Sequence, residues 1–232
     1  MPKKPLQESK PEPRYLKPNP QTDNHRLYHK LLKDDTKKIV CCTGWAGVGK
    51  SCVASYYASN ALNKGLCDGI VLVRSLEGVG RNPGAYPGTS EEKNEPKLRQ
   101  LLNYISNYTG EDIDSLLRFK KVTICGLYDI QGMDFTNKFI IVTEAQTLTP
   151  EEMYIVVTRG GYKIVLEGDT LAKGQCTNKS IKFGNDGLSF LFSTLEGLSF
   201  VGHCCLDKPE DIMREPYIRE LILRMTPILS QQ

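Results

Sequence analysis

The chain has 232 residues, of which 25% are charged and 40% hydrophobic, and its formal net charge is +3. This length suits one domain with a sizeable core and is short for two, and no apolar run approaches the roughly 18 residues that a membrane span requires. The charge does not indicate the partner, because 30 Lys and Arg nearly balance 27 Asp and Glu. We therefore predict a single soluble domain with no membrane partner.

The first 22 residues differ in composition from the rest of the chain. Residues 1–22 contain six of the 13 prolines and little apolar periodicity. They are predicted to form a disordered Pro-rich tail, followed by a single domain over 23–232. The lysines near the start are not followed by an apolar segment, so this stretch does not have the pattern of a secretory signal.

The eight cysteines show no C-x-x-C spacing, and several lie within apolar runs. A free thiol in such a run behaves as a small buried hydrophobe, so we expect reduced cysteines and a cytoplasmic protein. His203, Cys204 and Cys205 are adjacent, but successive strand residues point to opposite faces and no second ligand pair completes a tetrahedron. No metal site is predicted there.

From Asp23 onwards, short apolar runs alternate with helical patterns. The predicted strands are 37–43, 69–75, 121–125, 138–143, 162–169 and 198–206. The predicted helices are one from Asp23, 52–64, one that begins near Pro96, 149–159, 187–197 and 216–225. This alternation predicts an α/β fold whose mainly parallel sheet has helices on both faces and its chemistry at the carboxyl ends of the strands.

Two helix boundaries carry specific signals. Gly65 stands where a helix C-cap is expected, and Thr149 is followed by Pro150 and Glu152 in the pattern of a capping box. The segment 76–96 is rich in Gly, Pro and charge and is too long for a plain connection. It is predicted to be a functional or disordered loop.

A phosphate-binding motif lies between the first predicted strand and the next helix. Gly44, Gly49, Lys50 and Ser51 match G-x-x-x-x-G-K-[ST]. In this motif the backbone N–H groups surround the phosphates, the lysine reaches the β and γ oxygens, and the hydroxyl binds Mg²⁺. The predicted nucleotide-binding residues are Gly44, Trp45, Ala46, Gly47, Val48, Gly49, Lys50, Ser51 and Cys52.

The stretch FIIVTEAQ, 139–146, has the pattern of an acid-bearing strand. A P-loop domain that hydrolyses its nucleotide needs one carboxylate for the magnesium shell and a second residue that positions the attacking water. Glu144 occupies the second of these positions, but Thr143 stands where the first acid is expected. The candidate magnesium residues are therefore Ser51, Thr143 and Glu144.

Five collinear blocks resemble those of the PhoH family, RecA-like P-loop ATPases related to superfamily-one helicases. The resemblance spans 24–222, and its blocks are GWAGVGKS, VRSLEGVG with YPGTSEEKNEP, TEAQTLTPEEM with TRGG, LEGD, and DIMREPYI. It implies a RecA-like fold, ATP and Mg²⁺ as cofactors, and ATP hydrolysis coupled to single-stranded RNA or DNA. It also implies a homo-oligomer, such as a hexameric ring, and a host cytoplasm if the protein is viral.

The resemblance also implies catalytic roles for five residues. Lys50 would bind the phosphates, Glu144 would be the general base, and Gln146 would contact the γ-phosphate or the base. Asp169 would be a second acid, and Arg214 an arginine finger acting within the subunit or on a neighbour. Each of four residues also has a structural alternative without a catalytic role. Glu144 can be a solvated strand end, Gln146 and Asp169 can make loop and helix-cap contacts, and Arg214 can form a surface ion pair.

Three further residues receive binding roles from the same resemblance. Tyr28 would stack on the adenine, although it can also be explained as helix packing against the sheet. Arg74 and Lys93 would face nucleic acid or the next subunit.

The sequence departs from the family pattern at four positions. These are Thr143 for Asp, His25 for Gln with Asn24 and Gln21 nearby, Ala172 for a glutamine that senses the γ-phosphate, and Gln131 for Arg. A threonine hydroxyl accepts the same hydrogen bond as the aspartate without its charge, so metal affinity is expected to fall while the base remains. Asp169 or Glu167 is a hypothetical source of the missing charge.

These features favour an ATPase coupled to single-stranded nucleic acid. The first alternative is a nucleotide-gated RNA-binding or assembly module with very slow hydrolysis, which the four departures favour. A small P-loop kinase is a second alternative, but its Arg-rich lid has only Arg81 as a candidate within 76–96.

Overall fold

A computed structural model describes residues 12–74, 90–126, 129–169 and 186–229, without the side chains of 90–95, 97 and 226–229. Its sheet has six strands: β1 Ile39–Gly44, β2 Gly69–Arg74, β3 Val122–Gly126, β4 Lys138–Thr143, β5 Lys163–Gly168 and β6 Val201–Leu206. Its helices are α1 Asp23–Lys33, α2 Lys50–Asn63, α3 Ser90–Thr109, α4 Ile113–Arg118, α5 Pro150–Thr158, α6 Gly187–Leu195 and α7 Pro216–Leu229.

Every strand pair in this sheet is parallel, and the strand order is β3-β2-β4-β5-β1-β6. The predicted α/β fold with a parallel sheet is therefore confirmed. The order places β5 between β1, which leads into the phosphate loop, and β4, which carries the acid motif. The carboxyl ends of these three strands consequently form one continuous edge.

Side chains of the central strands alternate between two buried clusters, as the pleat requires. One cluster joins β residues such as Ile141 and Val165 to α1, α2 and α3. The other joins Val142 and Leu166 to α5 and α6. Helices therefore cover both faces, which explains why the strands are apolar runs and not alternating patterns.

Two helices differ from the sequence prediction. Helix α3 begins at Ser90, six residues before the predicted start, and contains Pro96 in its first half. Because proline lacks an N–H donor and favours the first turn of a helix, the predicted helix begins near Pro96. Helix α4 was not predicted, because its six residues are too few to show periodicity; Asp112 caps it by accepting a hydrogen bond from the Ser115 N–H.

Residues 12–22 contain no helix or strand and contact the folded domain. The backbone N–H of Arg14 donates to the carbonyl oxygen of Asn107 at 2.7 Å. The remainder of the predicted tail lies outside the described residues, so its disorder stays a prediction. Seven cysteines are free in the described part of the chain, and five of these are buried. None of the described helices is long and apolar enough to cross a membrane.

Candidate functional site

The phosphate loop connects the end of β1 to the start of α2, as predicted. Gly49 precedes α2 with φ of 86°, and Gly47 has φ of 81°, a left-handed conformation that residues with a side chain rarely adopt. A Cβ atom on Gly47 would lie 2.7 Å from Cγ of Arg214. Glycine at this position therefore serves both the loop conformation and the close approach of Arg214.

Lys50 is held at the mouth of this loop. Its ammonium group donates hydrogen bonds to the carbonyl oxygens of Gly44 at 2.6 Å and Trp45 at 2.9 Å. Phosphate oxygens carry more negative charge than carbonyl oxygens and bind an ammonium group more strongly. The lysine is thus positioned to transfer its hydrogen bonds from the loop to a bound phosphate.

A cleft of about 590 Å³ lies along the phosphate loop, within the size range of ligand pockets. The loop and α2 form one wall through Ala46 to Val53. The other lining residues are Pro18, Asn19, Gln21, His25, His29, Gln100, Tyr104, Glu144, Met213 and Arg214. The cleft therefore joins the phosphate loop, a candidate base and a candidate arginine.

The prediction that Tyr28 stacks on an adenine is wrong. Its side chain has 0% exposure and belongs to the core between α1 and the sheet, so no face of the ring is open to a base. Its hydroxyl donates to Oε1 of Glu167 at 3.3 Å, and burial raises the pKa of Tyr28 well above its ordinary value. Tyr28 instead packs α1 against the sheet, the alternative that the sequence left open.

Tyr104 is a tyrosine that lines the cleft and that no sequence pattern predicts. Tyr104 lies on α3, and Gln100 one turn earlier lines the same wall. No local motif marks either residue, because they reach the cleft only through the packing of α3 against α2.

His25, which stands at the expected glutamine position, also lines the cleft. Its Nε2 lies 3.0 Å from the carbonyl oxygen of Val48, and its Nδ1 lies 3.1 Å from Oγ1 of Thr22. It therefore links the start of α1 directly to the phosphate loop.

The acid motif and the residues after β5 form one hydrogen-bonded unit. Gln146 Nε2 donates to Oε2 of Glu144 at 2.7 Å, and Gln146 Oε1 accepts from the backbone N–H of Asp169 at 3.1 Å. Gly168 allows this approach, since a Cβ atom there would lie 2.9 Å from Gln146 Oε1. Glu144 has φ of 54°, an unfavourable conformation for a residue with a side chain, and such strain is common at functional sites.

A second cavity of about 100 Å³ lies beneath the cleft, at the edge formed by β1, β5 and β4. Its lining residues are Ala46, Lys50, Ser51, Thr143, Glu144, Glu167, Gly168 and Asp169. Thr143 is 5% exposed, and its Oγ1 is buried without a hydrogen-bond partner among the described residues. Buried polar atoms of this kind normally have a partner, so the cavity is suited to a polar or charged ligand.

Glu167 is the carboxylate that contacts the phosphate loop. Ser51 Oγ donates to Glu167 Oε2 at 2.6 Å, although the two residues are 116 positions apart in the chain. Burial raises the pKa of Glu167 to about 7, while the hydrogen bond from Ser51, the charge of Lys50 and the hydrogen bond from Tyr28 act in the opposite direction. From the sequence, Glu167 is only a hypothetical source of the missing charge.

Oxygen donors of this kind suit Mg²⁺, the metal that the motif predicts. Ser51, Thr143, Glu144 and Glu167 bring hydroxyl and carboxylate oxygens to the small cavity. In the ranges that the structure covers, no three His, Cys, Asp or Glu residues form a metal site by themselves. Mg²⁺ is usually bound by one or two protein ligands together with substrate phosphates.

Arg214 lies over the phosphate loop of its own chain. The backbone N–H of Met213 donates to the carbonyl oxygen of Gly47 at 3.0 Å, and the Arg214 side chain packs on Gly47 and lines the cleft. The plain ion-pair alternative therefore does not describe this arginine, since it pairs with no acid among the described residues.

Other predicted positions lie away from the cleft or outside the described part. Arg74 ends β2 opposite Thr143, and Gln131 is exposed in a short turn after β3. The side chain of Lys93 and the residues Arg81 and Ala172 lie outside what the structure describes. Their predicted roles stay predictions.

A parallel sheet that ends in a phosphate loop, with the loop lysine, a candidate base and an arginine on one cleft, defines a P-loop nucleotide-binding protein. The family model described as PhoH-like protein matches residues 18–226. The chain therefore belongs to the PhoH-like family, and the resemblance of its motifs is confirmed.

Relatives from several bacteria agree with this assignment. The PhoH-like protein of Synechocystis sp. is 29% identical over 204 residues, which cover 87% of this chain and 60% of that protein. The PhoH-like protein of Bacillus subtilis is 30% identical over 191 residues, covering 79% and 57%. Protein PhoH of Escherichia coli is 28% identical over 166 residues, covering 68% and 47%. The chain thus spans 60% or less of the length of these relatives.

Proposed function

We propose that this protein is a Mg²⁺-dependent ATPase whose hydrolysis is coupled to binding or unwinding of single-stranded RNA or DNA. The observation that carries the proposal is the single cleft that holds Lys50, Glu144 and Arg214 around the phosphate loop. Phosphoryl transfer depends chiefly on positioning and on stabilisation of charge, and these residues supply a phosphate clamp, a base and a cation.

Glu144 is the proposed base that orients the attacking water. Its carboxylate is fixed by Gln146, which is in turn fixed by the Asp169 backbone. A positioned base contributes typically about 10² to 10⁴ in rate. The strained backbone at Glu144 and this chain of hydrogen bonds both support a catalytic role over that of a solvated strand end.

Arg214 is the proposed cation that stabilises charge on the transferred phosphoryl group. It stands over Gly47 of the same chain, so its action within the subunit needs no neighbour. Mg²⁺, held by Ser51 and the adjacent carboxylate, would neutralise charge on the phosphate oxygens. Ser51 donates its proton to Glu167, so its hydroxyl oxygen would remain available to the metal.

The nucleic-acid partner, a ring of identical subunits and a cytoplasmic location are further parts of the proposal. The resemblance of the motif blocks to those of RNA-acting ATPases supports the nucleic-acid partner and the ring. The buried, free cysteines of the described chain support the cytoplasmic location. Arg74, which ends β2 beside β4 at the carboxyl edge of the sheet, is one of the two residues that the resemblance assigns to nucleic acid or the next subunit.

The test is ATP hydrolysis by the purified full chain with and without single-stranded RNA and DNA. We expect turnover that rises with one of these oligonucleotides and falls to background in Lys50→Ala. Glu144→Gln should reduce turnover about 10²-fold or more while retaining nucleotide affinity. Turnover that survives Lys50→Ala would contradict the proposal.

Thr143 favours a second candidate, a nucleotide-gated RNA-binding or assembly module. The residue at the expected acid position carries no charge, so slow hydrolysis combined with nucleotide-dependent RNA binding is the alternative outcome of the same experiment. Turnover stimulated by oligonucleotide would eliminate this candidate.

A further inference from the structure

We propose that the metal-holding carboxylate has moved by one strand in this protein: Glu167 on β5 holds Mg²⁺ together with Ser51, in place of the acid that β4 lacks at Thr143. This inference rests on the proposed nucleotide-binding function and names the residue that completes its metal site.

The sheet register makes the two positions neighbours. Val142 pairs with Leu166, so Thr143 and Glu167 are the next residues on adjacent strands. Ile141 and Val165, two residues before each, both belong to the cluster that contacts α2. Because side chains alternate along a strand, Thr143 and Glu167 point to that same face. A carboxylate at either position therefore reaches the same space.

Glu167 is placed better than Thr143 to reach the phosphate loop. It pairs directly with Cys42 on β1, two residues before the loop begins at Gly44, and no strand intervenes. Its carboxylate accepts the proton of Ser51 at 2.6 Å, which leaves the lone pairs of the serine oxygen for a cation. Its other oxygen accepts from Tyr28 at 3.3 Å, so both carboxylate oxygens are held in place.

Thr143 provides an independent sign of a ligand at this point. Its Oγ1 is buried, has no partner in the described structure, and lines the small cavity with Glu167 and Ser51. A buried hydroxyl without a hydrogen-bond partner is unfavourable, and a bound hydrated cation would supply the partner. One carboxylate and one hydroxyl at the adjacent strand ends thus take the place of the usual acid.

The experiment measures binding of a fluorescent ADP analogue by the full chain as Mg²⁺ is titrated, with EDTA as the metal-free reference. Wild type should bind the analogue more tightly with Mg²⁺. The Glu167→Gln variant should keep wild-type affinity for the analogue in EDTA. The Mg²⁺ concentration that produces half of the increase in affinity should rise about 10- to 100-fold. Glu196→Gln, the same exchange at an exposed glutamate outside both the cleft and the small cavity, should leave that concentration within a few-fold of wild type.

A double variant that moves the carboxylate from β5 to β4 distinguishes loss of the metal ligand from loss of the fold. Thr143→Asp combined with Glu167→Gln returns a carboxylate to β4 and should restore most of the Mg²⁺ response, whereas Thr143→Asp alone should improve it little. A Mg²⁺ response that is unchanged in Glu167→Gln, or lost equally in Glu196→Gln, overturns the inference.

The two proposals fail differently. If the chain does not hydrolyse ATP but its Mg²⁺ response depends on Glu167, the proposed ATPase function is wrong and the metal assignment holds. If the chain hydrolyses ATP but its Mg²⁺ response does not depend on Glu167, the metal assignment is wrong and the ATPase function holds. A wild-type chain that binds no nucleotide at all would overturn both.

Discussion

Tyr28 and Tyr104 show how a single side chain changes role with its surroundings. Tyr28 occupies the sequence position expected for adenine stacking, yet it is sealed in the core and holds Glu167. Tyr104 lines the cleft beside Gln100 without any sequence motif. The tyrosine that lines the cleft therefore comes from α3 and not from α1.

This difference in position predicts unequal effects on nucleotide affinity when the two tyrosines are substituted. Tyr104→Ala should weaken nucleotide affinity by roughly 5- to 150-fold, the loss expected for one base–aromatic contact of about 1 to 3 kcal/mol. Tyr28→Phe removes only a buried hydroxyl and should leave metal-free nucleotide affinity within about twofold. Binding of a fluorescent nucleotide in EDTA measures both, and the reverse ranking would restore the original role of Tyr28.

Local signals at the element scale explain most helix boundaries. Thr149 Oγ1 accepts from the Glu152 N–H at 3.2 Å and the Glu152 carboxylate accepts from the Thr149 N–H at 2.8 Å, so the predicted capping box is confirmed. Gly65 follows α2 with φ of 69°, in the conformation expected of a residue that ends a helix. These features involve residues within four positions of one another, which is why the sequence alone predicts them.

The contact between α1 and α2 is expected to respond to pH. His29 is buried, and its Nδ1 lies 3.2 Å from the Tyr57 hydroxyl. Burial lowers the pKa of His29 from 6.5 to about 4, with smaller contributions from the charges of Lys17 and His25. Because the unfolded chain takes up the proton first, the free energy of unfolding should fall as the pH drops from 6.5 towards 4.

Urea unfolding at pH 7.5 and pH 5 tests this expectation. Wild type should lose on the order of 2 kcal/mol more than His29→Gln over that interval, because the glutamine does not titrate. Equal losses in the two proteins would show that protonation of His29 does not limit stability in acid.

At the scale of the whole molecule, the start of α1 and the segment before α7 meet beside the phosphate loop. Asp211, which is fully buried, accepts hydrogen bonds from Thr22 and Asn24 at the start of α1 and from the Lys208 N–H. The next turn carries Arg214 onto the phosphate loop. The segment before α1 and the segment before α7 are thus joined beside the phosphates.

Arg214 is expected to act within its own subunit. Arg214→Ala should lower turnover on the order of 10³-fold, as for other arginines that stabilise the transferred phosphoryl group. Mixing Arg214→Ala chains with Lys50→Ala chains should not restore activity, because no subunit of the mixture then has both residues in one site. Recovery on mixing would assign Arg214 to a neighbouring subunit in a ring.

The parallel α/β sheet, the phosphate loop, the candidate base Glu144 and the family are predictable from the sequence, because they depend on local order and short spacing. Only the folded structure shows that Tyr28 is buried, that Tyr104 lines the cleft and that Arg214 covers Gly47. The same is true of the contact between Glu167 and Ser51, which are 116 positions apart in the chain. Strand register and helix packing bring such distant residues together, and a single sequence encodes neither as a local pattern.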